Sequence, residues 1–489
     1  MASDGGDAPT TLPPQPYSHA PLQPGQVVDG FRLEERTHQG GMANLWRVTR
    51  LQALPDEPPL VMKVPRIKGG EDPASIVGFE VEQMIMPALT GVHVPRFVAK
   101  GDFTGQPYIV MERIAGDSLK ARFDVAPIPL DEVVTIGWKV ATALHDLHRQ
   151  HVIHLDIKPS NVMLRDTGEA VLIDFGLSRH DRLPDLLEEE FELPMGTGPY
   201  MSPEQVQFVR NDPRSDLFAL GAMLYHLATG ERAFGAPTTV RGLRRRLWQE
   251  PVPPRVLRPE TEPWLQEVIL RCLEVQPARR HQSAAQLAFE LQNPDQVALT
   301  ERAGRVERSG RLDQMKRWLG AIGTEPKPTG GATGQTARSP ILLAALDVAG
   351  AEPALLDAVR VTVQRLLQTE PGARLACLAV MKTNLIGSDE LVEADGSSRH
   401  VNLLVQLKHW ARPIVKALDL HGEGNAGRVT FHVLEASDAA GAIVDYAQKN
   451  QVDHVVLGAR SSGGLRRYLG SVSSQVAAEA GCTVTIVRG

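Results

Sequence analysis

The run His154-Leu155-Asp156-Ile157-Lys158-Pro159-Ser160-Asn161, followed closely by Asp174-Phe175-Gly176, constrains this chain more than any other feature. It confines two acids, a lysine and an asparagine to one loop and one strand end. Val152-Ile153 and Val162-Met163-Leu164 are short apolar pieces, and Ala170-Val171-Leu172-Ile173 has the continuous apolar pattern of a buried strand delivering Asp174 to its end. Grouped this way, Asp156 can orient a hydroxyl and accept its proton, and Lys158 can offset anionic charge. The oxygens of Asn161 and Asp174 suit a hard divalent cation such as Mg²⁺. These roles match phosphoryl transfer, and two motifs in order argue against a chance loop.

The pattern resembles the eukaryotic-like Ser/Thr protein kinases over roughly residues 30 to 293. The resemblance implies an α+β bilobal kinase fold that uses ATP and Mg²⁺, with Asp156 as base, Lys158 beside it, and Asn161 and Asp174 as metal ligands. Phe31 to Arg50 alternates as a hairpin around Gln39-Gly40-Gly41-Met42-Ala43, similar to the family's glycine-rich phosphate loop at Gly40 and Gly41. His38 and Ala43 stand where the first and third glycines belong, a departure that bears on loop flexibility and nucleotide affinity. Leu60-Val61-Met62-Lys63 matches the strand that points a lysine at the phosphates. Its carboxylate partner is expected at Glu82 rather than Glu80, because Phe79 and Glu82 share a helix face; a solvated acid is the alternative. Pro107 to Ile114 resembles the hinge that receives adenine, with backbone groups of Glu112 and Ile114 offered to the base and Met111 behind it.

Downstream, Ser202-Pro203-Glu204 resembles the triplet that closes the family's activation region, which implies a buried pair between Glu204 and Arg280, and Asp216 matches the acid that ties down the catalytic loop. Lys158 with Thr197 implies protein substrates with Ser/Thr acceptors. Leu155 replaces the arginine that many relatives place before the catalytic Asp, so a phosphate on the loop would lack its usual partner. The loop from Leu177 to Gly196 has few hydroxyls, mainly Ser178, and carries Glu188-Glu189-Glu190 and Glu192. Control by something other than loop phosphorylation is therefore expected. The acidic run is either a solvated loop face or a phosphate mimic.

With 489 residues, 42% hydrophobic residues and a net charge of −6, the chain is long enough for several domains and has no basic excess suited to nucleic acid. Cys272, Cys377 and Cys482 are scattered, fitting neither a disulfide framework nor a metal cluster, and a cytoplasmic location is expected. No stretch has the apolar length to span a bilayer. The expected layout is a Pro/Gly-rich disordered tail over 1–25, the kinase domain over 26–293, and a basic helical segment with a flexible linker over 294–339. A separate domain then occupies 340–489. The basic stretch from Glu301 to Trp318 is read as a solvated helical face, with an acidic partner or the kinase surface as alternatives.

From Pro340 onward, apolar strands alternate with helices: Ile341 to Leu346, Leu375 to Val380, Val429 to Leu434, Val455 to Leu457 and Val484 to Val487, separated by helical patterns. This predicts an α/β doubly wound parallel sheet with ligands at the strand carboxyl ends. Leu457-Gly458-Ala459-Arg460-Ser461 with Leu469-Gly470-Ser471 resembles the universal stress protein family over about 150 residues, the helix N-terminus favouring anions. In ATP-binding members, the positions of Gly458, Gly470 and Ser471 wrap the phosphates. Ser461 replaces a family glycine and the loop is one residue shorter. Asp347 lies where the family's adenosine-contacting acid is expected, with a capping or turn role as the alternative. The domain is read as nucleotide-binding or as structural and homodimer-forming. The whole chain is read as a Ser/Thr kinase with a stress- or nucleotide-sensing regulatory domain, the alternative being a nucleotide-binding pseudokinase scaffold.

Overall fold

The computed structural model describes residues 22–39, 43–52, 54–55, 57–66, 72–308, 310, 315–319, 339–383, 398–418, 420, 427–459 and 470–488. Gly40 and Gly41 lie outside them, as do residues 1–21 and the linker residues 320–338. In the first lobe, β1 (Val27–Val28), β2 (Phe31–Gln39) and β3 (Ala43–Arg50) continue into β4 (Leu60–Pro65), then α1 (Pro73–Ile85), β5 (Phe97–Gly101) and β6 (Tyr108–Glu112). The six strands form an antiparallel sheet in the order β1-β2-β3-β4-β6-β5. Alternation buries Phe31, Leu33, Trp46 and Val48 on one face of the hairpin. Asp72 starts α1 by accepting from the Ala74 N–H, with Pro73 in the first turn.

The second lobe is helical. In α2 (Leu130–Arg149), Val133, Ile136, Val140, Leu144 and Leu147 recur at three- and four-residue spacing and are fully or nearly fully buried. Next come β7 (Val152–Ile153), β8 (Val162–Leu164), β9 (Ala170–Leu172), β10 (Arg179–His180), a short helix α3 (Leu186–Glu190), α4 (Arg214–Thr229), α5 (Pro263–Cys272) and α6 (Ala284–Gln292). The paired strands β8 and β9, and β7 and β10, hold the loop bearing Asp156 and the turn bearing Asp174.

The last domain contains β11 (Ile341–Ala345), α7 (Pro353–Thr369), β12 (Arg374–Lys382), α8 (Arg399–Ala417), β13 (Val429–Ala436), α9 (Ala439–Lys449), β14 (His454–Ala459), α10 (Ser471–Glu479) and β15 (Thr483–Arg488). All neighbouring strands are parallel, in the order β13-β12-β11-β14-β15. Helices α7 and α8 cover one face, and α9 and α10 the other. The strand order reverses between β11 and β14, opening a crevice at their carboxyl ends.

One expectation needs correcting. The basic stretch after Asn293 is not one solvated helix: among the described residues Glu301–Gly304 and 315–319 are helical with Arg305 outside both, and three of its arginines lie on the helical lobe, the kinase-surface alternative. Arg302 pairs with Glu267 and Glu274, and Arg305 and Arg317 pair with Glu250. The last domain, separate in sequence, packs against the first lobe. Ile76 and Phe79 of α1 belong to the same apolar cluster as Leu404, Leu407 and Trp410 of α8.

Candidate active site and a second cavity

Asp156 is placed by an unusual backbone. Leu155, a branched residue, sits at φ 61°, a conformation that persists only where its surroundings impose it. Here they do: Asp216 accepts from the N–H groups of both His154 and Leu155 at 2.9 and 2.8 Å, and Gln205 donates to the Leu155 carbonyl at 2.7 Å. The Leu155 side chain is apolar and buried. The turned backbone aims the Asp156 carboxylate at four donor groups from three residues. Thr197 gives its hydroxyl and N–H to one oxygen at 2.6 and 3.0 Å, and Lys158 donates to the other at 2.6 Å. The buried Asn161 amide donates to the Asp156 carbonyl at 3.0 Å and to its carboxylate at 3.2 Å.

Across the cleft, β4 presents Lys63, whose Nζ lies 2.5 Å from Glu82 and 2.8 Å from Asp174. Burial alone would lower the Lys63 ammonium, but the Asp174 and Glu82 carboxylates outweigh it and hold it raised. Lys63 in turn pulls Asp174 down to about 2, against burial, so this acid stays ionised. Burial raises Glu82 despite Lys63. Glu80 takes the other side of α1 and pairs with Lys408 of α8 at 2.6 Å. An ionised carboxylate at Asp174 and an amide oxygen at Asn161 are hard donors on adjoining turns, so the residues present fit Mg²⁺ completed by waters and phosphate oxygens.

At the expected hinge, Ile114 is buried and the Glu112 N–H is already given to the Arg96 carbonyl at 2.8 Å. The Glu112 carboxylate grips both terminal nitrogens of Arg165 at 2.5 and 3.0 Å. Glu204 and Arg280 meet through two hydrogen bonds of 2.7 and 2.8 Å, both buried.

The acidic run divides: Glu188 and Glu192 are exposed, as expected of a solvated face, whereas Glu189 and Glu190 dock on the last domain. Glu189 receives both terminal nitrogens of Arg374 at 2.7 and 3.0 Å and the Tyr446 hydroxyl at 3.1 Å; Glu190 lies 2.9 Å from His432 Nδ1. Both side chains are shielded against the last domain by partners on its β12, β13 and α9. Nearby, Arg210 binds Asp185 at 2.8 Å and the Leu177 carbonyl at 3.0 Å, fixing the loop to the helical lobe with a carboxylate. Ser178 is buried and donates to the His154 carbonyl. Arg246 also escaped the sequence reading, although its buried guanidinium donates to the carbonyls of Met201 and Gly198. Within Arg244-Arg245-Arg246 it looks like any surface cation.

A cavity of about 500 Å³ opens at the strand reversal of the last domain, lined by Asp347, Val348, Leu355, Gly458, Gly470 and Ser471 among others. Gly470 precedes α10 without a side-chain cap, and a Cβ at Gly458 would come within 3.0 Å of Leu355. Asp347 lines this space and accepts from the Gly350 N–H at 3.0 Å, so it also serves the turn. Ser461 lies outside the described residues. Among those described, no helix is long and apolar enough to cross a membrane.

Fold and site together define a two-lobed kinase architecture joined to a doubly wound domain. Residues 79–290 match the protein kinase domain, and residues 339–488 match the universal stress protein family. The chain thus carries a protein kinase domain followed by a universal stress protein domain. Over 281 residues it is 34% identical to serine/threonine-protein kinase pkn3 of Myxococcus xanthus, covering 54% of this chain and 50% of that protein. Against serine/threonine-protein kinase PknB of Mycolicibacterium smegmatis it is 30% identical over 277 residues, covering 55% and 43%. The chain spans half or less of the length of these curated relatives.

Proposed function

We propose that this chain is a Ser/Thr protein kinase using Mg²⁺–ATP, with residues 26–293 as the catalytic unit and 340–489 as a regulatory domain. The observation that carries this reading is the Asp156 carboxylate, held by Thr197, Lys158 and Asn161 opposite the Lys63–Glu82–Asp174 cluster. In the proposed reaction Asp156 orients the acceptor hydroxyl and takes its proton as the oxygen attacks the γ-phosphorus. The bond from that phosphorus to the β,γ-bridging oxygen breaks, and ADP leaves. Lys158 offsets charge on the moving phosphoryl group, and Lys63, oriented by Glu82, holds the α- and β-phosphates. Asn161 and Asp174 would hold Mg²⁺, which supplies charge neutralisation at the phosphates. Gly40 and Gly41 would cover the phosphates, and the Glu112 carbonyl with the Ile114 N–H would receive adenine.

The buried Leu155 and Ser178, together with the Arg210–Asp185 bridge, support a loop that holds its place without phosphorylation. For the last domain, the cavity beside Gly458, Gly470 and Ser471 supports adenine-nucleotide binding at the start of α10. Its outermost strand, β15, offers an open edge for a homodimer. A cytoplasmic location is part of this reading.

The test is transfer of labelled γ-phosphate to a generic acceptor protein with Mg²⁺, comparing wild type with Asp156→Asn and Asp174→Ala. Transfer by wild type alone supports the kinase; nucleotide binding with no transfer by any of the three supports the pseudokinase scaffold instead.

A further inference from the structure

We propose that the last domain completes the phosphotransfer site from outside, with Lys408 and Arg374 acting as positioning residues for α1 and for the loop helix α3. The proposal rests on the kinase reading above. Glu80 and Glu82 are two residues apart on α1, roughly 200° around the helix, so they face nearly opposite ways. Lys63 holds Glu82 at 2.5 Å on the cleft side, and Lys408 holds Glu80 at 2.6 Å on the other. That outer pair is well shielded, Lys408 being 12% and Glu80 10% exposed, and Lys408 also lies over the Phe431 ring at 4.6 Å. Helix α1 is therefore fixed from both sides, and its rotation sets whether Glu82 reaches Lys63.

The other face of the domain, beside α9, takes α3. Arg374 grips Glu189 with two nitrogens, Tyr446 adds its hydroxyl, and His432 meets Glu190. Thr430 braces the His432 ring at 2.9 Å. Buried ionic contacts of this kind fix one arrangement more than they add stability, because desolvation offsets much of their attraction. Here they fix the two elements, α1 and the loop helix, whose placement decides whether the site is assembled. Lys408 and Arg374 touch neither substrate nor phosphate; they act through Glu80 and Glu189.

The experiment uses the full-length chain and charge reversal: Lys408→Glu, Glu80→Lys, and the two combined. Each single variant is expected to lower kcat about fivefold or more, with the KM for ATP within about twofold, and the double variant to recover most of the loss. Arg374→Met and Glu189→Gln should each lower kcat in the same way. Hydrogen exchange in residues 73–85 and 186–191 gives a readout independent of catalysis: exchange should rise in the single variants and fall back in the double. Singles with wild-type or raised kcat, or a double that recovers neither kcat nor protection, would overturn the proposal. If wild type transfers no phosphate, the kinase reading fails, while hydrogen exchange still decides whether Lys408 holds α1.

Discussion

Thr197 gives Asp156 two hydrogen bonds on one carboxylate oxygen, 2.6 Å from its hydroxyl and 3.0 Å from its backbone N–H. The two residues come from segments on either side of the acidic loop, so the base is aligned only when that loop is in place. Thr197→Val keeps the N–H contact and removes the hydroxyl. A hydrogen bond to a charged group contributes about 1.5–3 kcal/mol, so kcat should fall about 10- to 100-fold with little change in the KM for ATP. Steady-state kinetics at saturating acceptor checks this.

Arg280 and Glu204 form a buried pair with two direct hydrogen bonds, and Arg280 also lies 5.0 Å from the Phe218 ring centre. Removing one partner leaves an uncompensated buried charge. Arg280→Met should destabilise the kinase unit by about 3–5 kcal/mol, read by chemical denaturation of the full chain.

A carboxylate pins the loop. Asp185 takes Arg210, with side-chain exposures of 6% and 8%, and the Ser178 hydroxyl is already used inside the fold. Phosphatase treatment should leave activity unchanged, and Asp185→Asn should lower it. A phosphate found by mass spectrometry between Leu177 and Gly196, whose removal abolishes activity, would contradict this.

Burial pushes the Glu190 carboxyl from 4.5 up to about 7, against the pull of His432 and with Glu80 and Glu189 adding to the rise. A carboxyl raised on docking favours the docked state when protonated. Its contribution is fully present below pH 4.5 and is lost as the pH climbs to about 7. Relative to Glu190→Gln, the wild-type melting temperature should therefore drop between those pH values, by the equivalent of up to about 3 kcal/mol. Parallel curves for the two proteins would contradict it.

The clustering of the candidate site was legible because its members are local: Asp156, Lys158 and Asn161 lie within one loop, and an apolar strand leads straight to Asp174. Lys63 was legible only through the resemblance of Leu60-Val61-Met62-Lys63 to the kinase strand motif, whereas helix spacing put Glu82 on the face of Phe79. The parallel sheet was legible because its strands are apolar runs, although β12 and β13 extend past them into polar residues such as Lys382 and Glu435. Docking of the acidic loop was not legible. Glu189 and Arg374 are 185 positions apart, and Glu190 and His432 are 242 apart, so nothing local separates a docked acid from a solvated one. A signal was present in β13, where Thr430 and His432 interrupt Val429, Phe431 and Val433 with polar side chains that prove buried. A buried polar pair on a strand calls for a partner, and α3 supplies it.

The central claim is that Asp156 serves as the base of a phosphotransfer site, and the direct test is the kinetics of Asp156→Asn against wild type with Mg²⁺–ATP and a protein acceptor. The account predicts a fall in kcat of about 10²-fold or more with ATP binding retained. An Asp156→Asn enzyme that transfers phosphate at the wild-type rate would contradict it.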